Sequence, residues 1–148
     1  MNVRELLRDC RSVFLDTAPI IFYTEQHPVY YRLVEPVFAA IDAGEVQAVT
    51  SIVTLSECLV HPLMKGLTQL QQDYYDLITA GNNVYFALQD AETGRIAAEL
   101  RARYRLSLLD ALQVATALQT RCDAFLTNDR ELRRIQDLLV VIVEEISS

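Results

Sequence analysis

The segment AFLTND, residues 124–129, decides the fold. A run of strand length ends in a polar pair, Thr127 and Asn128, and a carboxylate, Asp129. SVFLDT, residues 12–17, has the same form, with Asp16 and Thr17 after the apolar run. Working outward, further apolar runs occupy 46–50, 84–88 and 138–143. Near-continuous runs of this kind suit strands buried on both faces of a sheet. Between them lie helical patterns at 19–25, 29–43, 51–60, 67–80, 91–104, 108–121 and 129–136. Gly44 and Gly81 stand where the second and fourth should stop. His61-Pro62 ends the third, and Pro36 is a candidate break inside the second. Strands alternating with helices predict an α/β domain: a central parallel sheet of about five strands flanked by helices. The whole chain, 1–148, reads as one domain.

The composition fits that reading. A chain of 148 residues can bury a sizeable core. It is 51% hydrophobic with 4 Gly and 4 Pro, which excludes a disordered or loop-rich chain. No apolar run reaches the roughly 18 residues of a membrane span. Residues 1–10 show no apolar core of a signal peptide. Cys10, Cys58 and Cys122 are scattered and form no CxxC, so they read as reduced, mostly buried thiols of a cytoplasmic protein. The net charge of -7 argues against tight non-specific binding to nucleic acid. The charge is uneven, however. Residues 90–134 carry 8 basic and 7 acidic side chains, so this stretch is locally basic. Lys65 is the only Lys; every other base is Arg, the better fork for phosphate.

Four acids stand out. Asp16 and Asp129 each follow a strand directly. Glu57 lies two turns into the helix after the second strand, and Asp110 starts the helix in LSLLDALQVATAL. In a parallel α/β sheet, strand C-termini and helix N-termini share one edge, where ligands bind. Each acid also has an ordinary explanation. Asp16 could be a helix N-cap. Ser107/Asp110 and Thr54/Glu57 have capping-box spacing. Asp129 after Asn128 would favour a helix dipole. Singly, a cap is the better reading of each; jointly, caps explain less well why all four sit in apolar sequence. Two carboxylates about 4 Å apart repel by roughly 4 kcal/mol at an effective dielectric near 20. Four in one crevice call for protons or a cation. All-oxygen ligands select Mg²⁺ or Mn²⁺, one or two ions, which can drive phosphodiester hydrolysis.

FLDTAPIIFY around Asp16, VTSIVTLSECL around Glu57, LSLLDALQVATAL around Asp110 and AFLTNDREL around Asp129 resemble the PIN-domain family, including the VapC-type toxins. The pieces occur in the family's order over nearly the whole chain. The resemblance implies a PIN-like fold and Mg²⁺- or Mn²⁺-dependent endoribonuclease activity. It implies that Asp16, Glu57, Asp110 and Asp129 hold metal, supported by Thr17, Thr127 and Asn128. It implies a homodimer silenced by an antitoxin protein. One departure is Leu109, where many relatives carry Pro.

Arg101, Arg103 and Arg105, with Tyr104 between them, are candidates for RNA contact. A helix C-terminus complementing its dipole explains them equally well. Arg130, Arg133 and Arg134 could touch the RNA backbone. His61 lies four residues after Glu57 on one helix face, but a helix-end position explains it better. Phe22, Tyr23, Tyr30 and Tyr31 read as core or a dimer face. Ser51 and Ser56 have no His/Asp partners for a hydrolase triad. A single Lys on a mid-chain segment argues against a phospho-receiver, and D-T-A at the first acid against a D-x-D phosphatase. The alternative to a toxin-like ribonuclease is a non-catalytic PIN module that binds RNA or a protein partner.

Overall fold

A computed structural model describes residues 2–147; Met1 and Ser148, the ends of the expected 1–148 unit, lie outside the described residues. Five strands form one sheet: β1 (Ser12–Leu15), β2 (Gln47–Ser51), β3 (Val84–Ala87), β4 (Ala124–Thr127) and β5 (Leu139–Ile142). Their order is β3-β2-β1-β4-β5, and every pairing is parallel. The chain builds outward from β1 to β3, then returns to lay β4 on the other side of β1. Strand order therefore reverses between β1 and β4, which is where an open parallel sheet leaves a crevice at its C-terminal edge.

Strand alternation divides the core in two. Val13 and Leu15 of β1, with Ala124 and Leu126 of β4, face one layer. Phe14 and Phe125 face the other, where their rings stack at 5.1 Å. On the first side pack α1 (Val3–Arg8), α2 (Thr17–Thr24), α3 (Tyr31–Asp42), α4 (Ile52–Lys65) and α5 (Thr68–Ala80). On the second pack α6 (Ala91–Tyr104) and α7 (Leu108–Gln119). The central strands are buried from both sides, and this is why their sequences are apolar throughout rather than alternating.

Several elements differ from the sequence reading. Pro36 does not split α3, which runs through it. Nor does Pro62 end α4. That helix continues to Lys65 and stops at Gly66, whose φ of +66° is left-handed. Proline in a helix interior costs about 3 kcal/mol. Here its ring is buried and its carbonyl accepts from Leu67 N (2.9 Å) and Gln71 Nε2 (3.1 Å), tying α4 to α5. The helix expected at 129–136 is a 3₁₀ turn, Arg130–Arg134. Leu132 and Ile135 are both buried, and three-residue spacing stacks them on one side of a 3₁₀ turn. Helix α1 was not foreseen, although Asn2 and Glu5 form a capping box.

Candidate active site

Asp16 immediately follows β1, and its N–H continues the ladder to Leu126 O at 3.0 Å. It holds the N-cap position of α2 without a side-chain capping bond. Its carboxylate is engaged elsewhere: Thr127 Oγ1 donates to Oδ2 at 2.8 Å and Gln113 Nε2 to Oδ1 at 3.3 Å. Glu57 projects from α4, and Thr17 Oγ1 donates to its Oε1 at 2.8 Å. Asp110 lies in the first turn of α7, whose N-cap Ser107 accepts from Asp110 N at 3.2 Å. Asp129 follows β4 by one residue, and its Oδ1 accepts from Glu131 N at 3.0 Å.

All four acids line one open cleft of about 420 Å³ at the C-terminal edge of the sheet, between the ends of β1 and β4. Thr17, Thr127 and Asn128 line it too, with Ala18, Ile21 and Phe22 as apolar walls. Among the described residues no Arg, Lys or His lines it. Burial pushes the Asp16 carboxyl above its ordinary value, against the bonds from Thr127, the Thr17 backbone and Gln113, and the charge of Glu57 adds to the rise. Burial likewise raises Asp110; the Ser107 bond opposes, and the charges of Asp16, Asp129 and Glu131 add. The acids thus sense one another with no protein cation between them.

The capping explanations fare unevenly. Asp129, not Asn128, caps its turn, and it also lines the cleft. The Thr54/Glu57 box does not form; Ser51 is the N-cap of α4 and accepts from Thr54 N. The amide of Asn128 turns to Glu144, donating to Oε1 at 3.2 Å and accepting from Glu144 N at 3.1 Å.

The arginines stand apart from the cleft. Arg101 Nε donates to Leu106 O, Arg103 pairs with Asp137 at 3.0 Å, and Arg105 is the left-handed cap of α6. Arg130 pairs with Glu144 at 2.7 Å, Arg133 with Glu145, and Arg134 donates to Tyr104 O. His61 is exposed on α4 and does not line the cleft. Of the aromatic residues, Phe22 reaches the cleft, whereas Tyr23 stacks on Phe38 at 4.0 Å.

Sequence reasoning missed Gln113 and Glu144 around the site, and weighed Ser51 only as a nucleophile and Thr54 only as a cap. A signal for Gln113 was present: it is three residues after Asp110, one helical turn on, and polar in an otherwise apolar stretch.

The profile of the PIN domain family matches residues 13–138. The chain belongs to the PIN domain family. Among solved structures it is similar to a toxin–antitoxin complex from Klebsiella pneumoniae, at 23% identity and TM-score 0.69, covering 90% of this chain and 99% of that one. VapBC2 from Rickettsia felis, bound to a DNA fragment from its promoter, matches at 17% and 0.69, covering 88% and 98%. The sarcin-ricin loop cleaving toxin VapC20 of Mycobacterium tuberculosis matches at 15% and 0.63, covering 76% and 86%. At these identities the likeness establishes the PIN fold. No curated protein matches the sequence.

The donor set of this PIN domain fits a hard divalent ion: four carboxylates, two threonine hydroxyls and no competing cation. Among the described residues no three acidic, His or Cys side chains stand close enough to form a ready cage. Mg²⁺ does not need one, because it commonly keeps several waters and takes one or two carboxylates.

Proposed function

We propose that this PIN domain is a Mg²⁺- or Mn²⁺-dependent endoribonuclease acting as the toxin of a toxin–antitoxin pair. The observation that carries the reading is the convergence of Asp16, Glu57, Asp110 and Asp129 on one cleft without a neutralising side chain. These four residues would hold one or two ions. When bound, the metal supplies Lewis acidity for phosphodiester hydrolysis. The chain's own residues do the orienting. Thr127 turns the Asp16 carboxylate, and Thr17 turns Glu57. Asn128 fixes the rim through Glu144. Arg130 and Arg133 would meet RNA phosphate by exchanging it for Glu144 and Glu145, while Arg101, Arg103 and Arg105 would contact RNA farther from the cut.

The similar solved structure from Klebsiella pneumoniae is a toxin–antitoxin complex, which supports an antitoxin partner here. Exposed Ile52, Val60, Leu63 and Met64 on α4, with Leu67 at the start of α5, support a homodimer. Among the described residues no helix is long and apolar enough to cross a membrane; the three free cysteines are in keeping with a reducing, cytoplasmic site of action. The second reading is a non-catalytic module that binds RNA or a protein partner.

Incubation with total cellular RNA separates the two. Discrete cleavage in Mn²⁺ or Mg²⁺ that is lost with EDTA and in Asp16→Asn is the expected result. RNA retention with no new ends in any of the three arms would favour the binding module.

A further inference from the structure

Gln113 is 2% exposed, and its amide bonds to three residues beneath the cleft, one of them Asp16. Its Oε1 accepts from Ser51 Oγ. Its Nε2 donates to Thr54 Oγ1 at 2.7 Å and to Asp16 Oδ1 at 3.3 Å. The direction of these bonds is fixed by its neighbours. An ionised carboxylate accepts only, so the amide nitrogen faces Asp16 in that state. Ser51 Oγ already accepts from Thr54 N at 3.3 Å, so its proton is free to go to the amide oxygen. Thr54 Oγ1 passes its own proton to Leu15 O at 3.4 Å and receives the amide. The result is a closed network with one orientation.

The three partners lie on two of the segments that carry the acids, and Gln113 on a third. Asp16 is the residue after β1. Ser51 and Thr54 form the first turn of α4, which carries Glu57. Gln113 itself rides on α7, one turn after Asp110. From this junction we infer that Gln113 is a positioning residue, which sets the register of Asp16, Glu57 and Asp110 for metal binding. The inference rests on the proposed metal-dependent function. A buried leucine or methionine at 113 would preserve packing volume but release the inner oxygen of Asp16. It would also leave Ser51 without its acceptor. Groups that orient metal ligands in this way typically cost 10- to 100-fold in metal affinity when removed.

The test is Mn²⁺ titration, followed by the electron paramagnetic resonance signal of free Mn²⁺, on wild type, Asp16→Asn, Gln113→Met, Gln113→Leu and Thr50→Val. Thr50 is an equally buried hydroxyl bonded to Ile78 O at 2.7 Å, away from the cleft, and controls for general loosening of the fold. Whichever Gln113 variant melts cooperatively is used. About tenfold weaker Mn²⁺ binding in that variant is expected. Its RNA cleavage should recover at high Mn²⁺ with KM for RNA unchanged, and Thr50→Val should bind as wild type. Gln113 variants that bind like wild type, or that weaken no more than Thr50→Val, overturn the inference and leave the proposed function standing. A wild type that binds Mn²⁺ no better than Asp16→Asn overturns the proposed function and the inference with it.

Discussion

Asp16 carries more of the site than any other side chain. It meets donors from β4 and α7 and lies within reach of the charges of Glu57 and Asp110. Its carboxyl sits above the ordinary value of 3.8. In the window above that value the native state keeps a proton that the unfolded chain has released. The stabilisation is therefore present at low pH and is lost as pH rises through the folded value. Asp16→Asn removes the penalty of the buried charge. The metal-free variant should melt higher than metal-free wild type, and the gap should widen from about pH 4 to neutrality. A gap that narrows with pH would contradict the account. Thr17→Val removes the bond to Glu57. The bond is solvent-exposed, so it contributes only about 0.5–1 kcal/mol, and cleavage should fall a few-fold. The melting point should barely move, because Thr17 is only partly buried.

At the level of elements, the strands and the long helices were legible because burial on both faces leaves a continuous apolar signature. Ser12–Leu15 and Ala124–Thr127 match the expected bounds, and the acids that end them followed from that. The prolines were misread for a physical reason: Pro62 breaks one backbone bond, but tertiary burial and the carbonyl contacts to Leu67 and Gln71 hold the helix on both sides. The true stop is Gly66, where a Cβ would meet nothing within 4 Å but the backbone is left-handed. Gly66→Ala should therefore lower stability by about 1 kcal/mol through backbone strain alone. Mn²⁺ affinity should stay at the wild-type value, since no acid lies on that turn. Denaturant unfolding alongside metal titration checks both halves. The role of Gln113 was not legible, because its partners are 59, 62 and 97 residues distant in sequence and meet only when β1, α4 and α7 pack together.

On the scale of the whole molecule, charge explains how an acidic protein of net -7 could act on RNA. The cleft is negative until a cation enters, and Arg103, Arg130 and Arg133 are matched with acids of the same chain. RNA affinity should accordingly be weak without metal and depend on exchanging these partners. Glu144 is the most connected of them, accepting from Tyr30 Oη (2.7 Å), Asn128 and Arg130. Glu144→Gln should free Arg130 for a phosphate. RNA should bind more tightly, and the slope of log affinity against log salt should steepen by about 0.7 for one added contact to single-stranded RNA. An unchanged slope would show that Arg130 does not reach the RNA. The claim beneath all of these is that the four carboxylates hold a divalent ion. Anomalous diffraction from crystals grown with Mn²⁺ tests it most directly. The account predicts a peak in the cleft within bonding distance of an Asp16 oxygen and of at least one other of the four acids. A cleft without a peak at saturating Mn²⁺, or a peak bound elsewhere, would contradict it.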